Sequence, residues 1–175
     1  MLNHKNIKIM LNTDFKEICE LKEKDFYLFG SKFEGKIIYT GQIDELFDYK
    51  FGELPYRSVD MKFETVEKEF YQEKATVNYP NDYDFTRITE FKHMHATKSP
   101  KTTLLKEYPQ AYEKGINTPY YPIFTQENQT KYNQYLEYSQ QFKNLILVGR
   151  LAEYKYYDMD DIVEKALDEY EKSIV

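Results

Sequence analysis

The chain has no tryptophan, one cysteine, six glycines and only three arginines among its 24 basic residues. Each scarcity excludes something. A single thiol, Cys19, cannot form an internal disulfide, and its isolation fits a reducing cytoplasm. The glycines stand at 30, 35, 41, 52, 115 and 149 and never form G-x-G, so the dinucleotide fingerprint and the P-loop are both missing. No apolar run approaches the roughly 20 residues that span a bilayer. The opening MLNHKNIKIMLNTDF lacks a signal-peptide apolar core. The expectation is a cytoplasmic chain without a membrane span.

The rarest basic residue is the most informative. Lysine fills 21 of the 24 basic positions, leaving Arg57, Arg87 and Arg150. Arginine offers a planar, permanently charged fork that holds phosphate or carboxylate through two parallel hydrogen bonds, which lysine cannot do. None of the three lies in a charge run. Arg57 opens an alternating segment, Arg87 sits between Phe85 and Ile88, and Arg150 closes the apolar run Leu145–Gly149. A charge at such a place needs a partner, either a carboxylate of this chain or an anionic ligand. The net charge is −6 with no basic cluster, which argues against nucleic acid.

At 175 residues, 41% hydrophobic and 17% aromatic, the chain is one domain or one piece of a larger one. Eighteen tyrosines supply most of the aromatics, and tyrosine suits half-wet clefts. Ile7, Ile9 and Leu11 alternate with polar or flexible neighbours and predict a short strand. Residues 15–33 read as charged and irregular. Lys36–Gly41 predicts a buried strand. Val59, Met61 and Phe63 alternate with Asp60, Lys62 and Glu64, which predicts a half-buried antiparallel strand. Strands at 75–79, 85–92 and 102–106 complete a predicted antiparallel sheet.

Helical spacing follows over 126–142, then a short strand at 145–150. Met159, Ile162, Val163, Ala166, Leu167, Tyr170 and Ile174 form the apolar stripe of a final helix capped by Asp158. Tyr120-Tyr121 and Tyr156-Tyr157 stand where a helix or strand begins. Each pair can staple a turn or offer a phenol to an anion. His93 and His95 would share one strand face but leave a zinc site two ligands short, so no metal is expected.

Several strings carry a family likeness. Tyr39-Thr40-Gly41-Gln42-Ile43-Asp44, Phe47-Asp48-Tyr49 and Leu54-Pro55-Tyr56-Arg57-Ser58 are followed by Thr86-Arg87-Ile88, Lys92-His93, Glu107-Tyr108-Pro109 and Pro119-Tyr120-Tyr121-Pro122. The series ends with Gly149-Arg150-Leu151-Ala152-Glu153-Tyr154-Lys155-Tyr156-Tyr157-Asp158-Met159. In this order the chain resembles the C-terminal part of the UDP-galactopyranose mutase family.

The resemblance implies isomerisation of UDP-galactopyranose to UDP-galactofuranose with reduced FAD, whose N5 attacks the anomeric carbon. No side-chain nucleophile is then required. It implies that Arg87, Tyr121 and Tyr156 contact the UDP diphosphate, that Asn78 contacts substrate, and that Arg57 lies near sugar and flavin. It implies flavin-side roles for Arg150, Asp158, Met159, Thr40 and Gly41, and a place for Phe15 near the adenine end.

The fold class it implies is α+β. An antiparallel substrate-domain sheet would be followed by a helix, a short buried strand and a C-terminal amphipathic helix of an incomplete FAD-binding domain. Residues 1–57 would return to the FAD-binding domain, 58–122 would form the sheet and 123–175 would close the FAD-binding domain.

Two departures stand out. Gln42 occupies a position where the family usually has proline, and the glycine-rich N-terminal portion of the family is missing. Three roles are therefore open: a C-terminal fragment inactive alone, one half of a split enzyme, or a non-catalytic UDP-sugar-binding module. A missing N-terminal half or a homodimer through the final helix would be the protein partner.

Overall fold

The computed structural model describes residues 2–95 and 97–173. Ile174 of the expected apolar stripe lies outside them. Among the described residues the fold is α+β, with three sheets and four α-helices.

A small antiparallel sheet comes first, with β1 (Cys19–Lys22), β2 (Asp25–Leu28) and β3 (Ser31–Lys32) in sequential order, after the short helix α1 (Phe15–Ile18). This corrects the reading of 15–33 as irregular. Glu23 and Gly30 take positive φ in the two tight connections, and Phe26 buries completely while charged neighbours point outward. The strands are too short and too charged for alternation to reveal them.

The expected strand at Ile7–Leu11 does not form. That segment has no regular secondary structure and no strand partner among the described residues, and Ile7, Ile9 and Leu11 are all exposed. Alternation prepares a strand for a sheet, and no sheet edge within this chain receives it.

The buried run becomes β4 (Ile37–Tyr39), which pairs in parallel with β10 (Leu145–Leu147). The helix α2 (Ile43–Leu46) follows β4 directly.

The main sheet has the order β6-β7-β8-β5-β9. Its elements are β5 (Tyr56–Val66), β6 (Thr76–Asn78), β7 (Arg87–Glu90), β8 (Thr102–Ala111) and β9 (Tyr121–Pro122). The outer half of β5 is not half-buried as expected: Met61 is 41% and Phe63 67% exposed, because the sheet projects beyond the core there. The strand expected at 85–92 ends at Glu90. Phe91–Met94 turns into a 3-10 helix, so His93 and His95 do not share a strand face.

α3 (Gln126–Ser139) is capped by Thr125, whose side chain accepts from the Asn128 N–H. It presents Tyr132 and Tyr135 to a core containing Phe26, Ile43, Phe47, Tyr56, Phe142 and Tyr154. α4 (Met159–Ser173) closes the chain, and no residue of it is buried. No helix among the described residues is long and apolar enough to cross a membrane.

Two buried carboxyls brace the sheet and shift in opposite directions. Asp44, 1% exposed, accepts the Leu54 N–H at 2.8 Å and the Tyr56 hydroxyl at 3.2 Å, fixing the chain where β5 begins. Burial outweighs these bonds and raises its pKa. Glu90 is fully buried and accepts the N–H groups of Tyr71 and Gln72, clamping the loop before β6. Burial opposes its ionisation, but those N–H donors, together with the His93 ring 3.3 Å away, outweigh burial and hold the carboxyl below its ordinary 4.5.

A depressed folded-state pKa contributes stability above the unfolded value and loses it as pH falls. Glu90→Gln should therefore cost about 1–3 kcal/mol at neutral pH. The gap from the parent protein should narrow as pH drops below about 4.5. Urea unfolding of both proteins at pH 7 and pH 4 checks this, and Asp44, present in both, cancels. A gap independent of pH would contradict the assignment.

Candidate functional site

Strand alternation decides which residues meet. In β5, Arg57, Val59 and Met61 share a face. The register places Met61 opposite Glu107, Glu107 opposite Arg87, and Arg87 opposite Asn78. Arg57 stands opposite Tyr121 on β9. Directly opposed residues lie on the same face of a sheet. Asn78, Arg87, Glu107, Pro109, Val59, Arg57 and Tyr121 therefore converge on one side. They line an open groove of about 670 Å³ with Phe124 and Tyr156, a volume suited to a small organic ligand.

Arg87 is oriented from both sides. Its Nε donates to Asn78 Oδ1 at 3.0 Å, and its Nη1 lies 3.6 Å from Glu107 Oε1. Its side chain stays 43% exposed, open to the groove. Arg57 makes no side-chain hydrogen bond or ion pair among the described residues, so its fork is free.

The far wall comes from the segment after β10. Gly149 (φ +110°) turns the chain, and its N–H donates to Glu153 at 2.9 Å. Arg150 then donates from Nε to the Tyr157 carbonyl at 2.8 Å. Its guanidinium carbon lies 5.3 Å from the Tyr121 ring centre and 4.9 Å from that of Tyr156. The two tyrosine rings stack at 6.1 Å. A cation held over two rings is worth about 0.5–1 kcal/mol per contact at exposed sites. Tyr157 is buried while Tyr156 faces the groove, so one member of the pair packs the core and the other serves the site.

Asp158 precedes α4, and its N–H donates to Asp161 at 3.1 Å, one half of a capping box. Its carboxylate accepts the Tyr156 hydroxyl at 2.8 Å. That hydrogen bond raises the Tyr156 pKa, so the phenol remains a donor. Arg87 and Tyr156 are thus each aimed at a carboxylate of this chain, at the place where the anion of a ligand would compete.

The structure brings Arg57, Asn78, Arg87, Tyr121 and Tyr156 together in the groove and sets Arg150 against its tyrosine wall. Thr40 and Gly41 follow β4, beside Gly149 and Arg150 after β10. Parallel strands end there together, where α/β sheets bind ligands. Met159 is 83% exposed at the start of α4.

Phe15 is not gathered in. It packs on the Tyr39 ring at 5.5 Å and lines a separate pocket with Lys16, Cys19 and Phe26. Glu107 is the groove residue that sequence reasoning passed over. It lay in a quoted motif, and only the strand register shows that it faces Arg87.

A profile of the family described as UDP-galactopyranose mutase matches residues 1–156. This chain belongs to the UDP-galactopyranose mutase family. It is 34% identical to the UDP-galactopyranose mutase of Mycoplasma genitalium, over 93% of this chain and 41% of that protein. It is 33% identical to the probable UDP-galactopyranose mutase of Klebsiella pneumoniae (98% and 43%) and 31% identical to the dTDP-fucopyranose mutase of Escherichia coli (96% and 44%). The chain therefore spans about two fifths of the length of these relatives.

FAD, the cofactor that the family resemblance implies, can be tested against the residues present. A Cβ added at Gly149 would meet Thr40 Cβ only in ordinary contact at 3.8 Å, so glycine is needed there for its φ of +110°, which turns the chain where the two parallel strands end side by side. Arg150 adds a cation at the same end. The chain holds no glycine-rich turn to cradle a pyrophosphate. These residues fit one wall of a flavin site and do not enclose one.

Neutralising Glu107 should release Arg87 to an anion. Arg87 is open to solvent and the contact is long at 3.6 Å, so the pair is worth about 1 kcal/mol and Glu107→Gln should tighten pyrophosphate binding about two- to fivefold. Calorimetric titration measures this; an unchanged or weakened affinity would show that Glu107 does not compete for Arg87.

Proposed function

We propose that this chain supplies the substrate-side wall of a flavin-dependent mutase that interconverts UDP-galactopyranose and UDP-galactofuranose. One observation carries the reading: Arg57, Asn78, Arg87, Tyr121 and Tyr156 meet in one groove, next to Arg150 and the parallel strand ends. The names of the related mutases support the same reaction class.

In this reading Arg87 takes the diphosphate as a fork, pre-aimed by Asn78. Tyr121 and Tyr156 donate to the same oxygens, Tyr156 by leaving Asp158. Arg57, with no internal partner, faces the sugar. Arg150, Thr40 and Gly41, with Asp158 and Met159 at the start of α4, border the FAD. Phe15, packed behind Tyr39, has at most an indirect part. Reduced flavin, when bound, supplies the nucleophile for the anomeric carbon. The chain's own residues hold the sugar, keep the departing UDP in place and neutralise its charge, so that it can be rejoined.

Residues 58–122 act as the substrate sheet, and 1–57 and 123–175 belong with the FAD-binding part. The chain works in the cytoplasm, where the nucleotide sugar is found. Alone it binds UDP without turning over, because it lacks the cradle for the cofactor.

The relationship to a dTDP-fucopyranose mutase supports a second reading, a dTDP-sugar substrate. The groove residues address the diphosphate, which both nucleotides share.

Calorimetry of the chain with UDP should show binding that Arg87→Lys weakens about tenfold, since lysine loses the two-point fork. Tyr156→Phe should weaken it severalfold. Wild-type affinity in Arg87→Lys, or no UDP binding, contradicts the reading. Tighter binding of dTDP than UDP would favour the second substrate. The chain purified alone should carry no stoichiometric flavin absorbance.

A further inference from the structure

One family string finds no use in the groove: Lys92-His93, just past the end of β7. The chain turns there into a 3-10 helix, and both side chains, with Glu90, reach back to the loop between β5 and β6. Glu90 accepts the N–H groups of Tyr71 and Gln72, each at 3.0 Å. His93 Nε2 lies 2.9 Å from the Gln72 carbonyl; a carbonyl only accepts, so this nitrogen carries the hydrogen. The same nitrogen lies 3.3 Å from Glu90 Oε2. Lys92 Nζ donates to the Glu69 carbonyl at 2.7 Å and to the Ser99 carbonyl. It also stands 4.9 Å from the centre of the Phe70 ring, on which His93 packs at 4.8 Å.

Gln72 is the middle of this clamp. Glu90 and His93 hold its main-chain N–H and carbonyl. Its side-chain amide donates forward to the Lys74 carbonyl at 2.7 Å and across to the Ile88 carbonyl of β7 at 3.2 Å. The Glu90 N–H donates to the Ala75 carbonyl at 2.7 Å, directly before β6. These bonds fix the loop against β7 where β6 begins.

What they moor is a weak element. β6 has three residues, lies at the edge of its sheet and pairs only with β7. A two-stranded hairpin without further support is marginal in water. Beyond β6 the chain turns through an open loop, where the Tyr79 N–H donates to the Thr86 carbonyl at 2.9 Å while Tyr83 is 60% exposed. Yet β6 carries Asn78, whose Oδ1 accepts the Arg87 Nε–H. A side chain that binds a ligand keeps its aim only when its supporting hydrogen bonds are themselves held in place.

We infer that Gln72, held by Glu90 and His93, is a positioning residue for the Arg87 fork: it moors β6 so that Asn78 keeps Arg87 aimed into the groove. This rests on the reading of Arg87 as the fork for the diphosphate. Neither Gln72, Glu90 nor His93 lines the groove, so the clamp acts through Asn78 and not by touching the ligand.

The scarcity of arginine makes the test direct. Three arginines give three side-chain Nε–H signals in a nitrogen-edited NMR spectrum. Arg87 donates to Asn78 and Arg150 to the Tyr157 carbonyl, so Arg150 is an internal control. Gln72→Ala should speed hydrogen exchange of the Arg87 Nε–H at least about threefold and leave that of Arg150 unchanged, as a local opening would. In calorimetry with UDP it should weaken binding about three- to tenfold, and this effect should vanish in an Arg87→Lys background, because coupled residues are not additive. His93→Ala removes one support of the Gln72 carbonyl and should act in the same direction by a smaller factor. It carries the test if Gln72→Ala does not fold.

Unchanged Arg87 exchange in the folded variants, or loosening of Arg87 and Arg150 together, would overturn the inference, since the clamp would then serve overall stability alone. An equal loss of UDP affinity with and without Arg87 would do the same. Failure of the diphosphate reading looks different. Selective loosening of Arg87 in a chain that binds no UDP keeps the clamp and removes the diphosphate role; UDP binding that ignores Gln72 does the reverse.

Discussion

The groove depends on the phase of a single pairing, Met61 opposite Glu107 across β5 and β8. That register places Arg57 and Val59 on the same face as Glu107 and Pro109. The β7–β8 and β6–β7 pairings extend the row to Arg87 and Asn78. A slip of one residue would turn the row to the opposite face and bury charge where Ile88 and Leu104 now pack. The apolar residues on the back of the sheet therefore specify where the arginines point.

The second constraint joins the sheet to the chain's last third. Tyr154, 2% exposed, stacks on Tyr132 of α3 and meets Tyr56 edge-on. Its hydroxyl donates to the Pro55 carbonyl at 2.7 Å, and it accepts the Ile123 N–H at 3.3 Å. One phenol thus ties the entry to β5, the exit from β9 and the turn after β10. Arg150 and Tyr156 reach Tyr121 because Tyr154, between them in sequence, is anchored there.

The groove contains its own counter-charges. Glu107 faces Arg87 and Asp158 holds Tyr156, so in the free chain the donors are directed without being neutralised by burial. Arg87 remains accessible because its own end of the pair is open to the groove and the contact with the half-buried Glu107 is loose at 3.6 Å. A buried ion pair there would resist exchange for a ligand.

The α+β class, the long alternating strand, the two long helices, the scarcity of arginine and the order of family motifs were all legible in the residues alone. These are local or compositional signals: side-chain period, cap residues and residue identity survive without knowledge of neighbours. The residues alone left unread the small sheet at 19–32, whose strands are too short for a period to show. They also promised a strand at Ile7–Leu11 that finds no edge in this chain. Only the tertiary structure decided that Asn78 bonds Arg87, that Glu107 shares their row, that Tyr156 faces the groove while Tyr157 is buried, and that Phe15 packs elsewhere. Those outcomes depend on which strand lies beside which, and register is settled by the packing of the whole sheet and not by any one segment of it.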